Sequence, residues 1–142
     1  MKISEVMTRE VATVSSNQTA QEAANFMLEG DAGSIPVTEG DRLIGMITDR
    51  DIAVRGVAKG RGPDTPVSEL MSEGLICARE DDDVEDAARK MGEAQVRRLP
   101  VIDDAENLVG IVSLGDLARE TEDESAHQAL EGVSEPGQQH QQ

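Results

Sequence analysis

The sequence contains no tryptophan and no tyrosine, and Phe26 is its only aromatic residue. Without aromatic rings, the chain lacks the stacking surfaces that most single-strand nucleic-acid binders use. Its 29 acidic and 13 basic residues give a formal net charge of -16, so phosphate backbones and anionic lipid surfaces repel it. We therefore expect neither nucleic acid nor a membrane as a partner.

Cysteine is also scarce, because Cys77 is the only one. A single thiol excludes an intrachain disulfide and a thiolate zinc cluster, and it favours a cytoplasmic location. No segment approaches the roughly 18 consecutive apolar residues of a membrane span. The sequence also lacks Gly-x-Ser-x-Gly, a Walker-type loop and His-Glu-x-x-His, so we expect no catalysis, no metal and no required cofactor.

The sequence does contain an internal repeat, the first feature to look for in any chain. Val6-Met7-Thr8 returns as Leu70-Met71-Ser72, 64 positions later (71 minus 7). The same offset separates Ile35-Pro36-Val37 from Leu99-Pro100-Val101 (100 minus 36). A third block, Leu43 to Thr48, returns at Leu108 to Ser113 with one extra residue in the intervening turn. The chain is therefore one unit written twice.

The hydrophobic periodicity changes in the same order within each copy. A short strand-like run, Val11 to Val14 or Leu75 to Ala78, precedes a helix-like face and then two strands joined by a polar turn. A final helix begins near Asp49 in the first copy and near Leu114 in the second. The pattern predicts an α+β (mixed α/β) fold of two β-α-β-β-α repeats, with the sheets packed about a pseudo-twofold axis.

We place the first repeat at residues 1–62 and the second at residues 63–121, with a Gly- and Pro-rich linker at the boundary. Residues 122–142 form an acidic, Gln-rich tail that has too few apolar residues for a fixed structure. We expect this tail to be disordered.

The ordered set of motifs resembles the cystathionine β-synthase (CBS) domain: an opening Val-Met-Thr, a central hydrophobic-Pro-Val and a closing Gly-x-[IV]-[TS]-x-x-Asp. Both copies carry all three motifs over residues 1 to about 120. The duplication is similar to a tandem CBS pair, or Bateman module, and to small stand-alone proteins of the hypoxic response protein type. Such a resemblance implies adenosine-ligand binding in clefts between the two copies.

The resemblance places a ribose-binding element at Thr48-Asp49-Arg50-Asp51, where a strand meets a helix. Asp51 would accept from the ribose hydroxyls, Thr48 would bind near the sugar and phosphate, and free amides at the helix start would add donors. The alternative is that Thr48 or Asp49 only caps the helix, which suits Asp49 better than Asp51. Ser113 and Asp116 keep the hydroxyl and the carboxylate in the second copy.

Basic residues precede the central proline only in the second copy, where Arg97 and Arg98 are suited to bidentate contact with a phosphate. The alternative is a solvated strand end that offsets acidic charge. The first copy has Gly33-Ser34 there, so we expect two unequal sites. By resemblance, an adenine pocket is lined by aliphatic side chains such as Val11 and Ile76 and by the segments around Ile35, Pro36, Leu99 and Pro100. Ordinary core packing explains these apolar residues equally well.

Two functions stay open. In the first, the pair is a non-catalytic regulatory module whose ligand, AMP, ADP, ATP, S-adenosylmethionine or a dinucleotide, changes the arrangement read by an unidentified regulated protein. In the second, the pair is a structural or interaction protein that dimerises without binding nucleotide. The resemblance implies a homodimer in both cases.

Overall fold

The computed structural model describes residues 1–120, which form two compact units. The first-repeat unit is a single segment, Ala12–Leu75. The second-repeat unit combines Met1–Val11 with the described chain from Ile76 to residue 120. The opening segment of each repeat, residues 1–11 or residues 67–72, thus belongs to the unit formed by the other repeat. We call it the leading segment of the unit in which it lies. The boundaries at residues 62 and 63 mark the sequence duplication and stay a prediction, and the tail lies outside the described residues.

The first-repeat unit contains the predicted order of elements. Its strands are β1 (Val14–Ser15), β2 (Ser34–Glu39) and β3 (Arg42–Thr48), and its first helix is α1 (Ala20–Gly30). β1 is parallel to β2, and β2 is antiparallel to β3. The final helix begins with α2 (Asp49–Asp51) and continues as a π-helical turn (Ile52–Gly56) and a 3-10 turn (Val57–Lys59); a separate 3-10 turn covers Val67–Glu69.

The second-repeat unit repeats this plan. A 3-10 turn (Ile3–Glu5) comes first in sequence, followed by β4 (Ala78–Arg79), α3 (Val84–Ala94), β5 (Arg98–Ile102), β6 (Leu108–Ser113) and α4 (Leu114–Glu120). Its sheet again has one parallel and one antiparallel pair. Two β-α-β-β-α units with three-stranded sheets confirm the predicted fold class. β1 and β4 have only two residues each and lie at the carboxyl end of the predicted runs, because only those residues pair with β2 and β5.

The helices α1 and α3 begin differently. Thr19 and Glu22 form a reciprocal capping box on α1, in which Thr19 Oγ1 accepts from the Glu22 amide at 3.2 Å. Asp83 is the N-cap residue of α3, but its side chain makes no cap hydrogen bond. Asp82 instead accepts from the Arg79 amide at 2.9 Å and closes a turn. No helix in residues 1–120 is long and apolar enough to cross a membrane.

A methionine of the leading segment covers a glycine of the second hairpin strand in each unit. A Cβ on Gly110 would lie 2.7 Å from Met7 Sδ, and a Cβ on Gly45 would lie 2.6 Å from Met71 Sδ. Next to each methionine, the segment pairs with the strand, Thr8 with Ile111 in one unit and Met46 with Ser72 in the other. The glycine of the closing motif is therefore required by close approach of the leading segment.

Candidate functional site

The Thr48 and Asp51 pair lies where β3 passes into α2. The Thr48 amide donates to Asp51 Oδ2 at 3.0 Å, and the Asp51 amide donates to Thr48 Oγ1 at 3.0 Å. These reciprocal bonds form a capping box with aspartate in the third helical position. Capping therefore explains Asp51, and the expectation that it explains Asp49 better is wrong. The exposed Asp49 carboxylate accepts from the neighbouring Arg50 amide at 2.8 Å.

Ser113 and Asp116 repeat this geometry where β6 passes into α4. The Ser113 amide donates to Asp116 Oδ2 at 3.1 Å, and the Asp116 amide donates to Ser113 Oγ at 3.1 Å. The side chains of Asp51 and Asp116 are 13% and 16% exposed, so water reaches only a small part of each carboxylate. We call each hydroxyl–carboxylate pair a half-site.

The amides at the start of α2 are not free, contrary to expectation. The Asp49 amide donates to the Gly33 carbonyl at 2.9 Å, and the Arg50 and Asp51 amides donate to side-chain oxygens. In the second-repeat unit, the Leu114 amide donates to the Arg97 carbonyl at 2.7 Å. These bonds join each helix start to the strand beside it, so the side chains are the groups left for ligand recognition.

An arginine lies beside the other carboxylate oxygen in each half-site. Arg55 Nε is 3.9 Å from Asp51 Oδ1, and Arg119 Nη2 is 2.5 Å from Asp116 Oδ1. Both arginines are at least half exposed. Each Oδ1 is thus the carboxylate atom on which an arginine and a hydroxyl-bearing ligand would converge.

The residue opposite each hydroxyl distinguishes the half-sites. Arg98 is the strand partner of Ser113 in the β5–β6 pair, and Ser34 is the partner of Thr48 in the β2–β3 pair. Directly opposed residues of an antiparallel pair share a face of the sheet. The structure thus brings the exposed Arg98 to the Ser113 half-site, whereas the adjacent Arg97 is exposed and lies just before β5, outside the strand pairing.

The apolar residues predicted to line an adenine pocket lie mostly in the core. Ile35 is 4% exposed and Leu99 is 1% exposed, and the prolines that follow them are also buried. Ile76, by contrast, is 49% exposed, and Val11 is half-buried. Core packing accounts for the buried residues, and their strands, β2 and β5, also carry Ser34 and Arg98, the strand partners of Thr48 and Ser113.

Cys77 lies just before β4 and is partly buried. Burial raises the pKa of its thiol, although the positive charge of Lys90 acts in the opposite direction. Lys90 Nζ donates to the Cys77 carbonyl at 3.0 Å. A thiol whose pKa is raised is less reactive at neutral pH, which fits a structural residue.

Sequence reasoning missed Ser34 as the partner of Thr48 and did not consider Arg119. A signal for each was present. Hairpin register pairs the first residue of β2 with the last residue of β3, which places Ser34 opposite Thr48. A basic residue three positions after Asp116 lies on the same side of a helix and meets its carboxylate.

The repeated three-stranded unit, with a hydroxyl–carboxylate cap after its last strand, has the architecture expected of a CBS domain. The CBS domain family profile matches residues 3–56 and 67–131. The chain belongs to the CBS domain family and carries a tandem pair of these domains.

Two curated relatives match along nearly their whole length. The CBS domain-containing protein YhcV of Bacillus subtilis is 51% identical over 133 residues, which cover 93% of this chain and 94% of the relative. Hypoxic response protein 1 of Mycobacterium tuberculosis is 35% identical over 134 residues, which cover 93% of each. These relatives are themselves stand-alone CBS proteins of similar length.

Solved structures show the same fold. Hypoxic Response Protein I, described with two coordinated zinc ions, has a TM-score of 0.77 and 36% identity, and the match covers 85% of this chain and 99% of that one. CBSX2 in complex with AMP has a TM-score of 0.73 and 26% identity, with 84% and 94% covered. The CBS pair of protein MJ0100, in complex with 5′-methylthioadenosine and S-adenosyl-L-methionine, has a TM-score of 0.71 and 30% identity, with 84% and 94% covered.

Residues 1–120 contain no group of three His, Cys, Asp or Glu side chains placed to hold a metal ion. The two histidines of the chain, His127 and His140, lie outside the described residues.

Proposed function

We propose that this CBS pair is a non-catalytic regulatory module that binds an adenosine-type ligand through its two half-sites. The observation that supports this function most strongly is that Arg98 lies opposite Ser113, and Ser113 itself is three residues before Asp116. It combines a cation, a hydroxyl and a nearly buried carboxylate on one strand-to-helix junction. A ribosyl phosphate carries the complementary groups, two vicinal hydroxyls and an anion.

The two half-sites should not be equivalent. Ser34 gives the Thr48 half-site no positive charge across the strand, and Arg50 is exposed on the helix. The Ser113 half-site should therefore prefer phosphorylated ligands such as AMP, ADP or ATP. The Thr48 half-site should tolerate ligands without a phosphate, such as the S-adenosyl-L-methionine found in the MJ0100 complex.

A second function has its own support. In both half-sites the hydroxyl and one carboxylate oxygen are already used in the capping box, which a CBS pair without ligand also needs for stability. The first-repeat unit also exposes apolar side chains on its helices, namely Phe26, Leu28, Val54 and Val57. A structural CBS pair that dimerises or docks on another protein would use such a surface. We expect a homodimer under either function, and a cytoplasmic location in keeping with the single cysteine.

Calorimetric titration with AMP, ATP, S-adenosylmethionine and NADH separates the two functions. The regulatory module binds at least one ligand, and Asp116→Ala weakens AMP more than Asp51→Ala does. Because Ala also removes half of the capping box, each variant is paired with Asp→Asn, which keeps an acceptor for the backbone amide. If none of the four ligands binds the wild-type chain, the sensor function is wrong.

A further inference from the structure

Arg55 contacts two parts of the first-repeat unit that are far apart in sequence. Its Nη1 donates to the Leu70 carbonyl at 3.3 Å and to the Met71 carbonyl at 3.1 Å. Its Nε faces Asp51 Oδ1 at 3.9 Å. One guanidinium therefore bridges the half-site and the segment of residues 67–72.

Residues 67–72 form the leading segment of the first-repeat unit. Val67 and Leu70 are fully buried in its core, and Met71 covers Gly45. Ser72 pairs with Met46 of β3 through two hydrogen bonds, 2.9 Å and 3.1 Å long. A side chain that fixes the Leu70 and Met71 carbonyls therefore also stabilises the pairing of this segment with β3.

The backbone around Arg55 is unusual. Ile52–Gly56 is a π-helical turn, a form that is rare in proteins and is frequent at functional sites. Gly56 is buried beside Leu70, and a Cβ on Gly56 would lie 3.7 Å from Leu70 Cδ1. The turn packs closely on the leading segment, which allows the Arg55 side chain to reach its carbonyls.

The second-repeat unit has no such bridge in the described part of the chain. Arg119 contacts Asp116 Oδ1 and makes no hydrogen bond to residues 1–11. The position equivalent to Arg55, 65 residues later, is Glu120. The bridge distinguishes one half-site from the other.

We propose that Arg55 is a positioning residue that couples the Asp51 carboxylate to residues 67–72. The anionic carboxylate holds the guanidinium over the Leu70 and Met71 carbonyls, and the guanidinium holds Asp51 Oδ1 in place for a hydroxyl donor. A ligand that binds Asp51 then changes the stability of this segment; this last step rests on the proposed function. The coupling itself exists in the free protein.

A double-mutant cycle in the ligand-free protein tests the coupling. Amide hydrogen exchange at Met71 and Ser72 is measured in wild type, Asp51→Asn, Arg55→Met and the double variant. We expect Asp51→Asn to speed exchange about two- to fourfold, as for an ion pair of modest strength. In the Arg55→Met background the same change should have no effect. If Asp51→Asn only lowers overall stability, it speeds exchange equally in the wild-type and Arg55→Met backgrounds. Coupling through Arg55 instead gives an effect in the wild-type background alone.

Asn at position 51 keeps an acceptor for the Thr48 amide, and Asp51→Ser serves as a second charge-removing variant. Asp116→Asn, read at the Thr8 amide, is the matched control and should leave exchange there unchanged, because Arg119 does not contact that segment. An Asp51→Asn effect that is absent, or that is equal with and without Arg55, overturns the proposal.

A final arm adds S-adenosylmethionine, the ligand proposed for the Thr48 half-site. Its binding should slow exchange at Met71 and Ser72 in wild type, and this slowing should be lost in Arg55→Met. If S-adenosylmethionine does not bind, its assignment to the Thr48 half-site is wrong, but the ligand-free cycle still decides the coupling. If S-adenosylmethionine binds, is weakened by Asp51→Asn, and leaves exchange at both amides unchanged, the coupling to ligand is wrong.

Discussion

The Thr48 half-site and the Ser113 half-site share their backbone chemistry and differ in their charged neighbours. Both have a reciprocal hydroxyl–carboxylate cap with bonds of 3.0 to 3.1 Å. Across the strand, one half-site has Ser34 and the other has Arg98. The two copies therefore share the hydrogen bonds that cap the strand-to-helix junction and differ in the charge next to the half-site.

The leading segments show the same division. In both units a methionine covers a glycine, and a backbone bridge joins the segment to the second hairpin strand. The fit is tighter in the second-repeat unit, where a Cβ on Gly110 would lie 2.8 Å from the Thr8 carbonyl oxygen. The corresponding distance from Gly45 to the Ser72 oxygen is 3.0 Å. Backbone cannot move aside as a methionine side chain can.

Gly110→Ala is the change expected to have the largest effect on stability. The new methyl group must displace Met7 and the Thr8 carbonyl, so we expect a loss of about 2–3 kcal/mol in the free energy of unfolding, against about 1–2 kcal/mol for Gly45→Ala. Urea denaturation measures both values. Gly30→Ala is the control, because a Cβ there meets nothing within 4 Å and the residue is helical. Equal losses for all three variants would show that close packing of the leading segments is not the cause.

A smaller effect should distinguish the starts of α1 and α3. Thr19→Ala removes a side-chain cap and should lower the free energy of unfolding by about 1 kcal/mol. Asp83→Ala removes only a favourable charge near the helix start and should cost about 0.3 kcal/mol. Thermal unfolding of the two variants measures the difference. An equal or larger loss for Asp83→Ala would mean that its carboxylate does cap α3.

The smallest expected effect concerns the turn between β5 and β6. Between equivalent paired residues it has one residue more than the first copy, since residues 103–107 separate Ile102 from Leu108 and residues 39–42 separate Thr38 from Leu43. Asp103 accepts from the Ala105 and Asn107 amides at 2.9 Å each, and these hydrogen bonds, that from Asn107 above all, lower the pKa of its carboxyl from 3.8. A lowered pKa gives stability that is present above pH 3.8 and is lost as pH falls through the lower folded-state value. Asp103→Asn should therefore flatten the stability profile below about pH 4.

Asp104→Asn is the matched control in the same turn, because the Asp104 side chain is fully exposed. Acid titration followed by circular dichroism compares the two variants with wild type. The account of the turn is wrong if Asp104→Asn flattens the acid limb as much as Asp103→Asn does.

Local sequence signals predicted much of the fold. Apolar spacing located α1 and α3, and the matching motifs located both hairpins and the final helices. Strands β1 and β4 were predicted too long, because two paired residues leave little alternation to detect. The sequence could not show that Met7 packs on Gly110 and Met71 on Gly45. Both copies carry the same motifs, so the sequence does not tell whether each methionine packs on the glycine of its own repeat or on that of the other repeat.

The candidate sites were predictable in part. The closing motif placed Thr48, Asp51, Ser113 and Asp116 correctly at strand-to-helix junctions. Their mutual capping was also readable, since an acid three residues after a hydroxyl is a helix-start signal. Arg55 was recognisable only as a nearby cation. Its contact with the Leu70 and Met71 carbonyls depends on the π-helical turn, and apolar periodicity does not predict that turn.

The central claim is that the Ser113 half-site recognises phosphate through Arg98, and the difference between AMP and adenosine binding tests it most directly. Calorimetry of wild type, Arg98→Met and Arg97→Met with each ligand gives this difference. Arg98→Met should weaken AMP about tenfold and leave adenosine unchanged, as expected for loss of a charge-assisted hydrogen bond. Arg97→Met should affect neither ligand. Equal weakening of AMP and adenosine by Arg98→Met, or the same AMP loss with Arg97→Met, would contradict the account.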